Sequence, residues 1–129
     1  MIEIRYSLDE AIDILGSCEE LELLRQEILG LLKTDSEQIY VTGESDISAE
    51  PWNFVASGLE IIQNGKAVKV SISEDNSIHI KGSKDNLEKF ASFLVFDENS
   101  VSGSHSHYEY YEGNEYIDSN SFPLIIGVK

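Results

Sequence analysis

Residues 2–6 alternate apolar and polar side chains, with Ile2, Ile4 and Tyr6 on one side and Glu3 and Arg5 on the other. That is the pattern of a half-buried strand. Residues 7–10 can turn the chain, and residues 11–15 alternate again, so the pair predicts an antiparallel hairpin. Gly16 breaks the alternation. Ser17 then suits a helix N-cap, and Glu20, three residues on, completes a capping-box pattern. Leu21, Leu24, Ile28, Leu31 and Leu32 recur at helical spacing and predict a helix to about Lys33. A polar connection over 34–38 leads to a strand over 39–42 that stops at Gly43. Residues 44–51 are acidic and irregular. Strands are expected over 52–55 and 59–62, with Gly58 as a bulge or break. Asn64-Gly65 is a hairpin dipeptide, and Val68, Val70 and Ile72 share one face of the next strand. A turn over 74–76 and a strand over 77–81 complete a three-strand meander. The second helix begins at Ser83 and turns Leu87, Phe90, Ala91 and Leu94 inward. A polar loop comes next over 97–104, then a strand over 105–111 and a polar excursion around Gly113. The last strand covers 122–126, and Pro123 argues for its edge or its start.

The strand, Gly-Ser turn and helix of residues 78–94 have an earlier echo. Residues 12–24 (IDILGSCEELELL) and 78–90 (IHIKGSKDNLEKF) share Ile, Ile, Gly, Ser, Leu and Glu at equivalent places, 66 positions apart. Hairpins dominate and helices are few. The expected class is α+β, a mainly antiparallel sheet with two helices on one face, and the echo suggests two repeated strand–strand–helix units side by side. The length fits one domain over residues 1–129.

Charge narrows the partners. Twenty-four acidic residues face nine basic ones, a formal net charge of −15. Nucleic acid and anionic membrane surfaces both need a basic footprint, so both are disfavoured. A basic protein partner would be steered in by such a field. The one cysteine, Cys18, rules out an intrachain disulfide and fits a reducing compartment. The opening MIEIRYSLDE shows neither a basic leader nor a long apolar run, and a cytoplasmic location is expected.

Candidate chemistry is sparse. Each Gly-Ser junction opens a helix, where anions can bind, but neither a Gly-Lys-Ser/Thr nor a Gly-x-Gly-x-x-Gly motif is present. Glycine for the turn and serine for the cap explain both junctions. Cys18 lies in a first helical turn, but the adjacent Glu19 and Glu20 oppose a reactive thiolate. On a strand His105, His107 and Glu109 would project from one side and could begin a zinc or iron site, though no fourth ligand has a telling spacing. They are weak candidates, and no metal or other cofactor is assigned. No carboxylate pair or nucleophile motif stands out, so the chain is read as non-enzymatic. Tyr108, Tyr110, Tyr111 and Tyr116 are interleaved with Glu109, Glu112, Glu115 and Asp118. Tyrosine offers contact area with a polar tip, and carboxylates beside it suit a partner rich in Lys and Arg.

The same tail carries a family resemblance. His105-x-His107-x-Glu109-Tyr110-Tyr111-x-Gly113-x-x-Tyr116-Ile117-x-x-x-Ser121-x-Pro123-Leu124-Ile125-Ile126 resembles the C-terminal signature of a small α+β immunity-protein family of bacterial polymorphic toxin systems. The strand–Gly-Ser–helix before it, with Leu87 and Leu94, resembles the segment that precedes the signature there. The resemblance implies binding to a cognate toxin, without catalysis. Many such toxins are nucleases with basic clefts. It carries over no catalytic residue. Two other readings stand beside it: a metal-binding protein using the His105-x-His107 strand, and a module that self-associates through its C-terminal edge strand.

Overall fold

The computed structural model describes residues 1–97 and 99–129; Glu98, inside the polar loop expected over 97–104, lies outside them. Among the described residues there are nine strands and two α-helices. The strands are β1 (Glu3–Tyr6), β2 (Ile12–Gly16), β3 (Gln38–Thr42), β4 (Phe54–Val55), β5 (Gly58–Gln63), β6 (Lys69–Ile72), β7 (Ile78–Gly82), β8 (His105–Tyr108) and β9 (Leu124–Val128). The helices are α1 (Cys18–Leu32) and α2 (Lys84–Ala91), the latter running into a 3₁₀ turn over Ser92–Leu94. The α+β class holds, with the strands divided between two sheets. One has the order β4-β1-β2-β9-β8 and the other β3-β5-β7-β6. All pairings are antiparallel except β2 with β9 and β5 with β7.

The echo is a structural repeat. β1 pairs β2 with Glu3 opposite Leu15 and Tyr6 opposite Ile12. Shifted by 66 residues, β6 pairs β7 with Lys69 opposite Lys81 and Ile72 opposite Ile78. The caps keep the same offset: Ser17 opens α1 and Ser83 opens α2. So do the buried faces, Leu21 with Leu87, Leu24 with Phe90 and Ile28 with Leu94, all at most 2% exposed. Burying one such side chain fully is worth about 1.5–3 kcal/mol.

The rest of each unit is exchanged. The β3–β5 pair, which comes after α1, docks in parallel on β7, with Leu59 opposite Ile78. The β8–β9 pair, which comes after α2, docks in parallel on β2, with Leu124 opposite Ile12. Neither half of the chain therefore holds a complete sheet. One apolar cluster runs through both sheets and both helices, and α1 packs on α2.

Three expectations change. Asn64-Gly65 does turn, with Gly65 at φ +85°. But β5 and β6 do not pair, because β7 lies between them; the meander is replaced by a parallel β5–β7 contact that a local turn signal cannot encode. Gly58 opens β5 in unbroken register with Thr42, so it makes no bulge. And β9 is interior, flanked by β2 and β8, so the C-terminal strand offers no free edge for self-association. Pro123 stands just before β9, where its missing N–H costs nothing, and its carbonyl accepts from Ile12 N at 2.9 Å.

The junction glycines also differ from expectation. Neither Gly16 nor Gly82 has positive φ, so turn conformation does not explain them. Each ends a strand against the equivalent neighbour of the adjoining segment. A Cβ on Gly16 would stand 3.2 Å from Ile2 Cγ2, and one on Gly82 would stand 2.8 Å from Val68 Cγ2. Glycine is there for space.

Candidate functional site

The segment after α2 is pinned at both ends. At one end β8 pairs with β9 at the edge of its sheet. At the other, residues 116–122 run alongside β6 and cover its outer edge. Val68 N donates to Tyr116 O at 2.7 Å, and Asp118 N to Val68 O at 2.8 Å. Val70 N donates to Ser121 Oγ at 3.0 Å, and Phe122 N to Val70 O at 3.0 Å. Between these anchors residues 109–115 bridge the two sheets. Their shape comes from local turns: Asn114 N donates to Tyr111 O, Tyr116 N donates to Asn114 Oδ1 at 2.8 Å, and Gly113 takes φ +91°. Short polar side chains and a left-handed glycine are what such turns require.

Most of the expected contact residues come together on this loop. Glu109, Tyr110, Tyr111, Glu112, Glu115 and Tyr116 are exposed, Tyr111 by 65%. Asp118 is half-buried and caps the next turn through Asn120 N at 2.8 Å. Tyr108 does not belong with them. It is buried in β8, and its ring stands edge-on to Phe90 and Phe93, with centroids 5.0 and 4.9 Å away. By register it occupies the place Val41 holds in the other sheet, since Val41 faces Leu59 as Tyr108 faces Leu124. Burial raises its phenol well above the ordinary value. No Lys or Arg occurs between Lys89 and Lys129, so every charged side chain on the loop is a carboxylate. The Lys89 ammonium lies 3.5 Å from the centre of the Tyr116 ring. Under the loop is a cleft of about 520 Å³ with Lys89, Phe93, Tyr108, Glu109, Tyr111 and Tyr116 among its walls.

The histidine candidates do not converge on a metal. His105 and His107 share the exposed face of β8 with ring centres 5.0 Å apart. Glu109 lies beyond the end of that strand. His79 is on β7 in the other sheet, and Cys18 donates its thiol to Asp97 O at 3.4 Å. Among the described residues no group of three His, Cys, Asp or Glu side chains could hold a metal ion.

One arrangement was hidden from sequence reasoning. The outer face of the β4-β1-β2-β9-β8 sheet carries a row in which Arg5, Asp13, Ile125 and His107 are neighbours across strands. Burial raises the Asp13 carboxyl, with Arg5 and the Trp52 side chain pulling the other way. The cover comes from the irregular residues 44–53: Arg5 Nε donates to Ser48 O at 2.8 Å. Alternation marks Asp13 only as solvent-facing, and nothing in residues 44–53 announces that they fold over it. No described helix is long and apolar enough to cross a membrane.

Comparison with known proteins adds one finding. The family model described as immunity protein 32 matches residues 77–129. That is less than half of the chain; it takes in β7, α2, β8, β9 and the whole tyrosine–carboxylate loop. No curated protein and no solved structure matches the chain.

Proposed function

We propose that this chain is an immunity protein that binds and neutralises a cognate bacterial toxin, with the loop over residues 109–116 as its contact surface. The observation that carries the reading is the match to immunity protein 32 over the segment that bears this loop. The exposed chemistry supports the kind of partner. A loop with three exposed tyrosines and no cation favours a basic protein surface, and a nuclease toxin presents one. The field of a chain at −15 would speed the encounter. Binding alone suffices for neutralisation, so the reading needs no catalytic residue and no cofactor, and it expects the protein in the cytoplasm with its toxin.

The test is protection and complex formation with the product of the neighbouring toxin gene. Cells producing that toxin should survive when this chain is co-produced, and the two purified proteins should form a complex. Survival without a complex, or no survival, would remove the reading. Glu109→Lys with Glu112→Lys should slow association and flatten its salt dependence, because both charges are exposed on the loop.

A further inference from the structure

The 66-residue offset of the repeat makes Leu23 on α1 the counterpart of Lys89 on α2. Their neighbours correspond too, Glu19 with Asp85 and Glu22 with Glu88. On α2 this face, with Asp85, Glu88 and Lys89, is polar and exposed, as a solvated helix face should be. On α1 it carries a leucine that is 66% exposed. The core does not need that residue, since Leu21, Leu24 and Ile28 already fill the buried face. Nor is Leu23 isolated. It borders a groove of about 490 Å³ between the start of α1 and the segment after α2, with half-buried Cys18 and Phe96 as further walls and Leu94 beneath. The Cys18 thiol, donating to Asp97 O at 3.4 Å, holds that segment against α1. Apolar surface gathered in one place and rimmed by polar groups marks a protein contact.

We infer that this groove takes an aliphatic side chain of the toxin, carried on a basic stretch of the toxin's surface. The rim decides the charge. Glu22 is already held by Arg25 at 2.8 Å and by Gln26 at 2.9 Å, but the exposed Glu19 has no ion pair among the described residues. An aliphatic anchor flanked by Lys or Arg fills the apolar walls and meets Glu19 at the edge. A second copy of this chain fits less well, because it brings the same carboxylates to the same rim and the same net charge of −15. The groove also adjoins the contact surface proposed above. Phe93 lines the tyrosine cleft, and Leu94, the next residue, lies under the groove. The inference rests on the proposed function for the identity of the partner, and it adds an apolar contact to the charged one on the loop.

The test follows purified toxin from the neighbouring gene as it binds to and leaves the chain. Leu23→Gln keeps a good helix former and removes the apolar contact. The free variant should unfold at the wild-type urea midpoint, because the side chain is mostly exposed. Its complex should dissociate roughly tenfold faster, with association and its salt dependence unchanged. Leu8→Gln changes a leucine that is 60% exposed in the turn between β1 and β2, and it should leave dissociation unchanged. Glu19→Lys should slow association more than Glu10→Lys, which alters the net charge equally from that same turn. Wild-type dissociation in Leu23→Gln, or equal effects of the two leucine changes, would overturn the groove and leave the proposed function standing. Equal slowing by the two charge changes would overturn its basic occupant. Self-association of the free chain that Leu23→Gln abolishes would give the groove to a second copy instead. No complex with the wild-type chain would remove the proposed function, and the inference with it.

Discussion

The two strand–strand–helix units are superposable in register and different in chemistry. Each pairs its two strands at the same positions, starts its helix after Gly-Ser, and buries three equivalent apolar residues. They differ at most positions where a side chain leaves the core. Glu3, Asp13 and Leu15 correspond to Lys69, His79 and Lys81 on the strands. At the caps, Glu20 accepts from Ser17 N at 2.9 Å, while the equivalent Asn86 donates its amide to Lys66 O at 2.9 Å and Ser83 N also donates to Lys66 O. The shared positions are mostly those that packing and backbone hydrogen bonding demand. The repeat is thus a scaffold, and function is to be sought where the units diverge. The largest divergence lies in the segment that leaves each helix and returns to cover the outer strand of its own unit: β4 on β1, and the tyrosine-bearing tail on β6.

The junction glycines give the largest test of that equivalence. Gly82→Ala drives a methyl to 2.8 Å from buried Val68 and should cost about 1–3 kcal/mol in urea unfolding, near the upper end of overpacking effects. Gly16→Ala meets Ile2 at 3.2 Å and should cost less. Adding Val68→Ala to Gly82→Ala should recover part of the loss, because the two changes share one space. A larger cost at Gly16 would break the spatial account.

The caps are a smaller test. Ser17→Ala and Ser83→Ala should each cost about 1 kcal/mol, since each serine oxygen accepts from the third helical N–H. Only the first unit should show coupling in a double-mutant cycle, Ser17 with Glu20, because only there is the box reciprocal. Equal coupling between Ser83 and Asn86 would contradict the assigned hydrogen bonds.

Acid should separate the units by the smallest effect. Burial pushes the Glu20 carboxyl upward. The N-terminal ammonium, the Ser17 N–H and Lys129 outweigh it and bring the group down to about 2. A carboxyl lowered from 4.5 stabilises the fold above that ordinary value, and the gain is lost as pH falls toward about 2. Asn86 has no such group. Glu20→Gln should therefore make unfolding free energy less dependent on pH across that acid window, whereas Asn86→Ala should leave the dependence as it is.

Local order was legible in the sequence. The period-2 runs, both serine caps and the inward face of each helix can be read from spacing alone, and the echo pointed to the repeat. The pairing of strands across units was not legible. β5 meets β7 and β2 meets β9 through parallel contacts between distant segments, and Asn64-Gly65 pointed instead to a local hairpin. At the candidate surface, composition grouped residues that the fold does bring onto one loop but could not separate Tyr108 from its neighbours. Alternation in β8 puts His105 and His107 on one face and Tyr108 on the other. Which face is outward becomes known only once β9 has a place between β2 and β8. The cover over Asp13 was invisible because residues 44–51 have no periodicity to read, and residues 52 and 53, expected as strand, lie before β4.

On the proposed function, the tail of the second unit, rather than its acidic counterpart after α1, meets the toxin. Residues 34–65 also lack Lys and Arg, so charge alone does not decide between them. The deciding measurement is the association rate of the purified toxin with two variants, Glu109→Lys/Glu112→Lys and Glu44→Lys/Asp46→Lys, over a range of salt. Each pair changes the net charge equally. The tail variant should associate about tenfold more slowly at low salt, with a shallower salt dependence, and the other should stay within about twofold of wild type. Equal slowing in both would reduce the effect to net charge, and slowing only in the Glu44/Asp46 variant would mean that the toxin meets the first unit instead.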